Sequence, residues 1–257
     1  MSGEPGKGQQ RPGAGKPYAQ EAERRAPVRR VAMPRAPRLY APEATVHVVA
    51  RCNNREFYFT TAEDFATVLG KLRGMVRDYE LTLYAYTVMS NHIHLLLQAP
   101  GAGTLARPLR WFLTETARVF HRVRGRRGHF WERRYRACLV EDDTHGLAVL
   151  RYLDRNPVRA GLVQDPATYP WSSCAAYALG TPNPLLTFHP SYLGLSRDPQ
   201  SRRRAYAALL APNADPKADG RDARWTTKRA VGSLGFLARH GVRRGRAAKT
   251  ATLPRNQ

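Results

Sequence analysis

The amino-acid sequence predicts an α+β fold, an antiparallel sheet with packed helices, on three observations. Short stretches of alternating, β-branched apolar residues recur through the first half of the chain. Between them lie two long segments whose apolar residues return at helical spacing. The resulting order, β-α-β-β-α-β-α, suits a sheet with helices on one or both faces.

The elements follow one by one. "ATVHVVARC" (44–52) alternates and reads as a strand, and "NNRE" turns out of it. In "YFTTAEDFATVLGKLRGMVRDY", Thr60 or Thr61 stands where a helix cap belongs, and Phe65, Val68, Leu69, Leu72 and Val76 share one face. "LTLYAYTVM" (81–89), the turn "SN" and "IHLLLQ" form a hairpin. "GTLARPLRWFLTETARVFHRVRG" (103–125) is a second helix, with Leu109, Phe112, Leu113, Thr116, Val119 and Phe120 inward. "HFWERRYRACLVED" (129–142) is a fourth strand or a loop leading into one. "DTHGLAVLRYLDRN" (143–156) is a short helix ended by Pro157, since the residue before proline is pushed out of the helical region.

Three regions result. Residues 1–40 hold Gly, Pro, Ala, Gln and Arg with almost no large apolar side chains, too few to offset the entropy of ordering, and are expected to be a disordered basic arm. Residues 41–180 form the structured domain. From "TPNP" onward, 181–257 is a basic C-terminal extension, looser and partly helical, with helix candidates at 201–211 and 226–240. No internal repeat is present.

Charge narrows the function. Forty-two Lys and Arg against 20 Asp and Glu give a net charge of +22. A coding bias toward Arg, Ala, Gly and Pro accounts for part of this. A folded chain so basic is nonetheless expected to meet a polyanion, and nucleic acid is the commonest. Cys52, Cys138 and Cys174 lie far apart, against a disulfide framework or a structural zinc site and in keeping with a cytoplasmic setting. No apolar run approaches the roughly 20 residues that span a membrane. The basic N-terminus has no apolar core behind it, so no secretory signal is expected.

The chemistry begins with "SNHIHLLLQ" (90–98). On a strand, alternate side chains share a face, so His92 and His94 project together while Ile93, Leu95 and Leu97 point the other way. Such a pair is short and common, and alone it reads as two half-exposed histidines. A metal site needs a third ligand. Tyr152 and Asn156 are four residues apart and share a helix face. Their ordinary readings are an amphipathic core tyrosine and a helix-end asparagine. Laid over the histidine strand, that face would complete a site. A cation on His92, His94 and Asn156 would polarise a phosphodiester, and the Tyr152 hydroxyl would attack phosphorus.

Several blocks together carry a resemblance. "YTVMSNHIHLLLQ" (86–98), "HFWERRYRACLVE" (129–141), "RYLDRNPVRAGLV" (151–163) and "YPWSS" (169–173) resemble the single-tyrosine HUH transposases. The nearest branch is the REP-associated tyrosine transposases, whose opening strand and turn "VARCNNREFYF" (49–59) is similar to. The likeness covers about residues 41–178. It implies a ferredoxin-like/RRM-like HUH catalytic domain with Tyr152 as nucleophile and His92, His94 and Asn156 as ligands of Mg²⁺ or Mn²⁺. Two imidazoles alone would lean toward Mn²⁺ or Zn²⁺. It further implies cleavage of single-stranded or hairpin DNA through a 5′-phosphotyrosine, with a free 3′ hydroxyl left to reverse the step and no ATP consumed. Members act as a monomer or a homodimer. "TTKRAVGSLGFLARHGVRRGR" (226–246) is similar to the tail of longer relatives.

DNA contacts are expected from Arg51, Asn53, Asn54 and Arg55 after the first strand, and from Arg133, Arg134 and Arg136 near the fourth. Arg159 would clamp a phosphate, and Trp131 or Tyr135 would stack a base. Trp171, Ser172 and Ser173 are expected to pack the final loop. Two other functions compete: a domesticated relative that binds DNA or RNA without cutting, and a metallonuclease in which water attacks. The joint presence of a nucleophile and three ligands favours the strand transferase.

Overall fold

The computed structural model of the protein describes residues 41–42, 44–101, 104–141, 144–212 and 222–242. The expected basic arm (1–40) and the Arg-rich end of the tail (243–257) lie outside the described residues.

The first half of the chain forms β1 (Thr45–Arg51), a 3₁₀ turn at Asn53–Arg55, α1 (Ala62–Asp78), β2 (Thr82–Met89), β3 (His92–Gln98) and α2 (Ala106–Arg124). Then come β4 (Arg136–Val140), α3 (Thr144–Asp154), α4 (Asn156–Arg159), α5 (Cys174–Ala178), α6 (Pro190–Leu193) and α7 (Pro199–Leu210). The chain continues through α8 (Arg224–Thr227), β5 (Ala230–Val231) and α9 (Leu234–Arg239). The strands make one sheet in the order β2-β3-β1-β4-β5, antiparallel except where β5 runs parallel to β4.

Register explains how the sheet sorts its side chains. Val49 pairs with His94 and Arg51 with His92, so alternate residues of β1 and β3 share a face. On one face Val46, Val48, Ala50, Ile93, Leu95 and Leu97 meet Phe65, Val68, Leu72, Leu109 and Phe112 of α1 and α2. On the other, Leu96, Cys138 and Val140 meet Val149, Leu150 and Leu153 of α3 together with Tyr177, Tyr192 and Tyr206. Helices thus cover both faces. An irregularity between Leu83 and Ala85 turns part of β2 toward the second layer.

Thr61 caps α1. Its hydroxyl accepts from the Asp64 N–H at 3.3 Å, and the Asp64 carboxylate accepts from the backbone of Thr60 and Thr61. Arg124, at the end of α2, pairs with that same carboxylate and ties the two helices together.

Of the two alternatives for 129–142 the second holds, a loop leading into the strand Arg136–Val140. Two other expectations are corrected. The helix expected at 226–240 is broken into α8, β5 and α9, because Ala230 and Val231 pair with the edge of β4. Past 180 the described residues are packed, with Tyr192, Tyr206 and Trp225 all buried.

The underside of α3 binds that packed region. Arg151 donates to Leu209 O at 2.6 Å and to Ala211 O at 3.1 Å, and Arg155 donates to Leu210 O. These are the carbonyls that the end of α7 leaves without helical partners. The Tyr206 hydroxyl donates to Asp154 Oδ2 at 2.6 Å. Burial pushes the Asp154 carboxyl up to about 7 despite that bond. Asp154 therefore keeps its proton on folding, a preference fully present below 3.8 and lost as pH rises toward 7. Asp154→Asn keeps the shape and an oxygen for Tyr206 while removing the titration. Across this window it should gain on the wild type by at most about 1.4 kcal/mol per pH unit. Urea unfolding of both proteins at pH 5 and pH 8 checks this, and a difference independent of pH would contradict it. No helix among the described residues is long and apolar enough to cross a membrane.

Candidate active site

Arg51, Met89, His92, His94, Tyr152, Asn156, Arg159 and Ala160 line one cavity on the α3 face of the sheet. The strand pleat brings His92 and His94 to it, with ring centroids 4.9 Å apart. Helix α3 brings Tyr152, whose ring meets that of His94 edge-on at 5.7 Å. Val149, Leu150 and Leu153 anchor the helix in the core. Thr87 Oγ1 fixes its end by donating to Leu153 O at 3.1 Å.

Asn156 reaches the cavity by a route the sequence does not suggest. Helix α3 stops at Asp154, Arg155 sits at φ −84° and ψ 1°, and Asn156 opens α4. Pro157 therefore lies at the start of a helical turn, where its missing N–H costs nothing, and does not end one. Backbone bonds from Arg155 N to Arg151 O and from Arg159 N to Arg155 O carry the helical spacing through the break. Tyr152 and Asn156 thus stay on one face. The Asn156 Nδ2 donates to Tyr152 O at 2.8 Å, which turns its amide oxygen the other way. Arg159 donates to the same carbonyl and holds its guanidinium carbon 4.6 Å from the centre of the Tyr152 ring.

The imidazoles are in a state suited to a cation. Asn91 Nδ2 donates to Arg55 O, so its Oδ1 accepts from His92 Nδ1 at 2.7 Å. The remaining lone pair of His92 is then on Nε2. Burial, and after it the neighbouring side chains of His92, His47, Arg159 and Arg51, hold His94 well below the usual histidine range, so that it is neutral. Among the described residues no three His, Cys, Asp or Glu side chains converge as a metal site. The set that does converge is two imidazoles and an amide, donors that fit a divalent cation of borderline to hard character.

His47 belongs to this site and was missed. It is wholly buried, and its Nε2 lies 2.9 Å from His94 Nδ1. Burial lowers its imidazole to about 4, with the Trp225 carbonyl acting in the opposite sense. The signal was present in "TVHVVAR", where His47 alternates with Val49 and Arg51 onto the face of His94.

A second concavity adjoins the first and shares Arg51 with it. Val49, Arg51, Arg55, Glu132, Arg133, Arg134, Arg136, Thr226 and Thr227 line it. The two arginine groups expected to contact DNA thus come together, and Arg136 is steadied by a 2.9 Å bond to Thr226 O. Asn54 is outside that lining, and its side chain bonds to Glu56 instead. The two aromatic residues expected to stack a base are set differently. Trp131 packs on Phe130 and donates to Leu113 O, and Tyr135 is buried in the core. Trp171 stacks on Phe65 at 4.7 Å and Ser173 bonds the backbone of Tyr86, a packing role as expected.

Comparison with known proteins bears on the fold that carries this cavity. Residues 41–156 match the family model "Transposase IS200 like". Among solved structures, a REP-associated tyrosine transposase bound to a REP hairpin is similar in fold, with a TM-score of 0.51 and 18% identity. That likeness covers 62% of this chain and 93% of the other. A protein of Deinococcus radiodurans R1, provisionally named a transposase, aligns with a TM-score of 0.35 and 20% identity over 45% of this chain and 92% of its own. No curated protein matches in sequence. The matched segment holds β1 through α3 and ends on Asn156, and over that stretch the chain is similar to the IS200-like transposases.

Proposed function

We propose that this domain is a strand transferase that nicks single-stranded or hairpin DNA with Tyr152 as its nucleophile. The observation that carries the reading is the convergence of His92 and His94 with Tyr152 and Asn156 on one cavity, the two pairs lying far apart along the chain. The Tyr152 oxygen forms a bond to phosphorus as the bond from phosphorus to the 3′ oxygen breaks. The phenol gives up its proton and the departing 3′ oxygen takes one up. The product is a 5′-phosphotyrosine with a free 3′ hydroxyl, which reverses the step on a new strand without ATP. Arg159 and Arg51 face the reacting phosphate with positive charge. His92, His94 and Asn156 would hold Mg²⁺ or Mn²⁺, which when bound supplies Lewis-acid polarisation of a phosphate oxygen.

The neighbouring arginine concavity gives the flanking strand a path into the site, in keeping with the net charge of +22. In this reading the protein acts as a monomer or a homodimer. Three free, buried cysteines suit a cytoplasmic setting.

The test uses labelled single-stranded and hairpin oligonucleotides from the flanks of the gene, with Mn²⁺ or Mg²⁺, run on denaturing gels. A DNA-sized increase in protein mass is expected with single strands and not with a blunt duplex. Cleavage without any adduct would favour attack by water. Salt-sensitive binding without cleavage would favour a protein that only holds DNA.

A further inference from the structure

We infer that His47 is a positioning residue, one that holds His94 in the tautomer a cation requires and takes its own orientation from the Trp225 carbonyl in the C-terminal extension. The inference rests on the reading of His94 as a metal ligand.

The argument follows protons along three contacts. A carbonyl oxygen can only accept, so His47 Nδ1, 3.1 Å from Trp225 O, must be the nitrogen that carries hydrogen. His47 is fully buried among Cys138, Leu96 and the ring of Tyr152, where a neutral ring with its hydrogen on Nδ1 has only a lone pair on Nε2. That lone pair faces His94 Nδ1 at 2.9 Å. Two ring nitrogens this close form a bond only when one of them is protonated, and here only His94 Nδ1 is left to be so. The rings lie 6° from parallel with centroids 5.2 Å apart. This is the separation of an in-plane N–H···N pair, too long for stacked faces.

The consequence falls on the opposite nitrogen. With its hydrogen on Nδ1, His94 has its lone pair on Nε2, the remaining nitrogen of a ring that lines the cavity. The other tautomer would set two lone pairs against each other inside the protein and put a hydrogen where a cation would sit. A ligating histidine is commonly oriented by a carboxylate or a carbonyl on its other nitrogen. Here a second histidine relays the carbonyl. The relay reaches Trp225, 178 residues along the chain from His47. The same segment also touches the nucleophile, for the Trp225 ring lies 6.3 Å from that of Tyr152. Helix α8 therefore bears on both halves of the reaction centre.

The experiment has two readouts on the full chain. Long-range ¹H–¹⁵N spectra of the metal-free protein should show His94 as the Nδ1–H tautomer and His47 likewise. Finding His94 protonated on Nε2 overturns the inference with no variant needed. Mn²⁺ affinity is then measured by titration for wild type, His47→Phe and His47→Gln, with folding checked by urea unfolding. His47→Phe should weaken binding by about 10- to 100-fold. His47→Gln, whose amide oxygen still accepts from His94, should recover most of it. Wild-type affinity in both variants, or equal loss in both with the fold intact, overturns the relay. If His94→Ala binds Mn²⁺ as tightly as wild type, the ligand reading itself fails, a result distinct from either.

Discussion

Tyr152→Phe should bind single-stranded DNA as tightly as the wild type and form no covalent adduct, with nicking reduced by at least about 10³-fold. The prediction separates chemistry from packing because the substitution removes one oxygen and leaves the ring. That ring keeps its edge-on contacts with His94 and His47, its place beside Trp225 and the guanidinium of Arg159 over its face. The fold and the positive surface should therefore be unchanged. Denaturing gels with labelled oligonucleotides give the adduct, and a filter-binding titration gives the affinity. An adduct that persists in the variant would place the nucleophile elsewhere, and unchanged nicking without an adduct would point to water.

His92→Ala should bind DNA and fail to nick it, with Mn²⁺ affinity lowered more than about 100-fold, beyond what loss of an outer partner costs. His92 is the better ligand to remove. It is only half-buried, at the mouth of the hairpin, where its Nδ1 bonds the Asn91 side chain. His94 is wholly enclosed, and truncating it would also strand the His47 lone pair, a penalty of about 1–3 kcal/mol that would blur the reading. Mn²⁺ titration, oligonucleotide cleavage and urea unfolding on the same sample make the test complete. Nicking at the wild-type rate would remove His92 from the site.

Much of the fold was legible because its signals are local. Thr61 and Asp64 stand at cap spacing before Phe65, Val68 and Leu72, so α1 announces its start and its buried face. The hairpin of β2 and β3 declares itself by alternation on both sides of a two-residue turn. The pairing of His92 with His94 follows from the pleat alone, and that of Tyr152 with Asn156 from helical spacing. The break at Arg155 was hidden because the residues on either side of it keep that spacing. His47 was illegible for another reason. One histidine between valines carries no mark of its partner, and its meaning comes from His94 and from a carbonyl far along the chain. The tail misled for lack of length: two residues pairing with a strand edge leave no periodicity to find.

The match to the family model stops at Asn156, yet α3 does not stand on its own there. Arg151 and Arg155 spend their donors on the end of α7, and Asp154 is shielded by Tyr206. A chain cut where that match stops would leave those arginines without the end of α7 to cap and open that carboxyl to water. Sequence likeness and cooperativity draw different borders around this protein. The wider of the two is the one within which the tyrosine helix keeps its place.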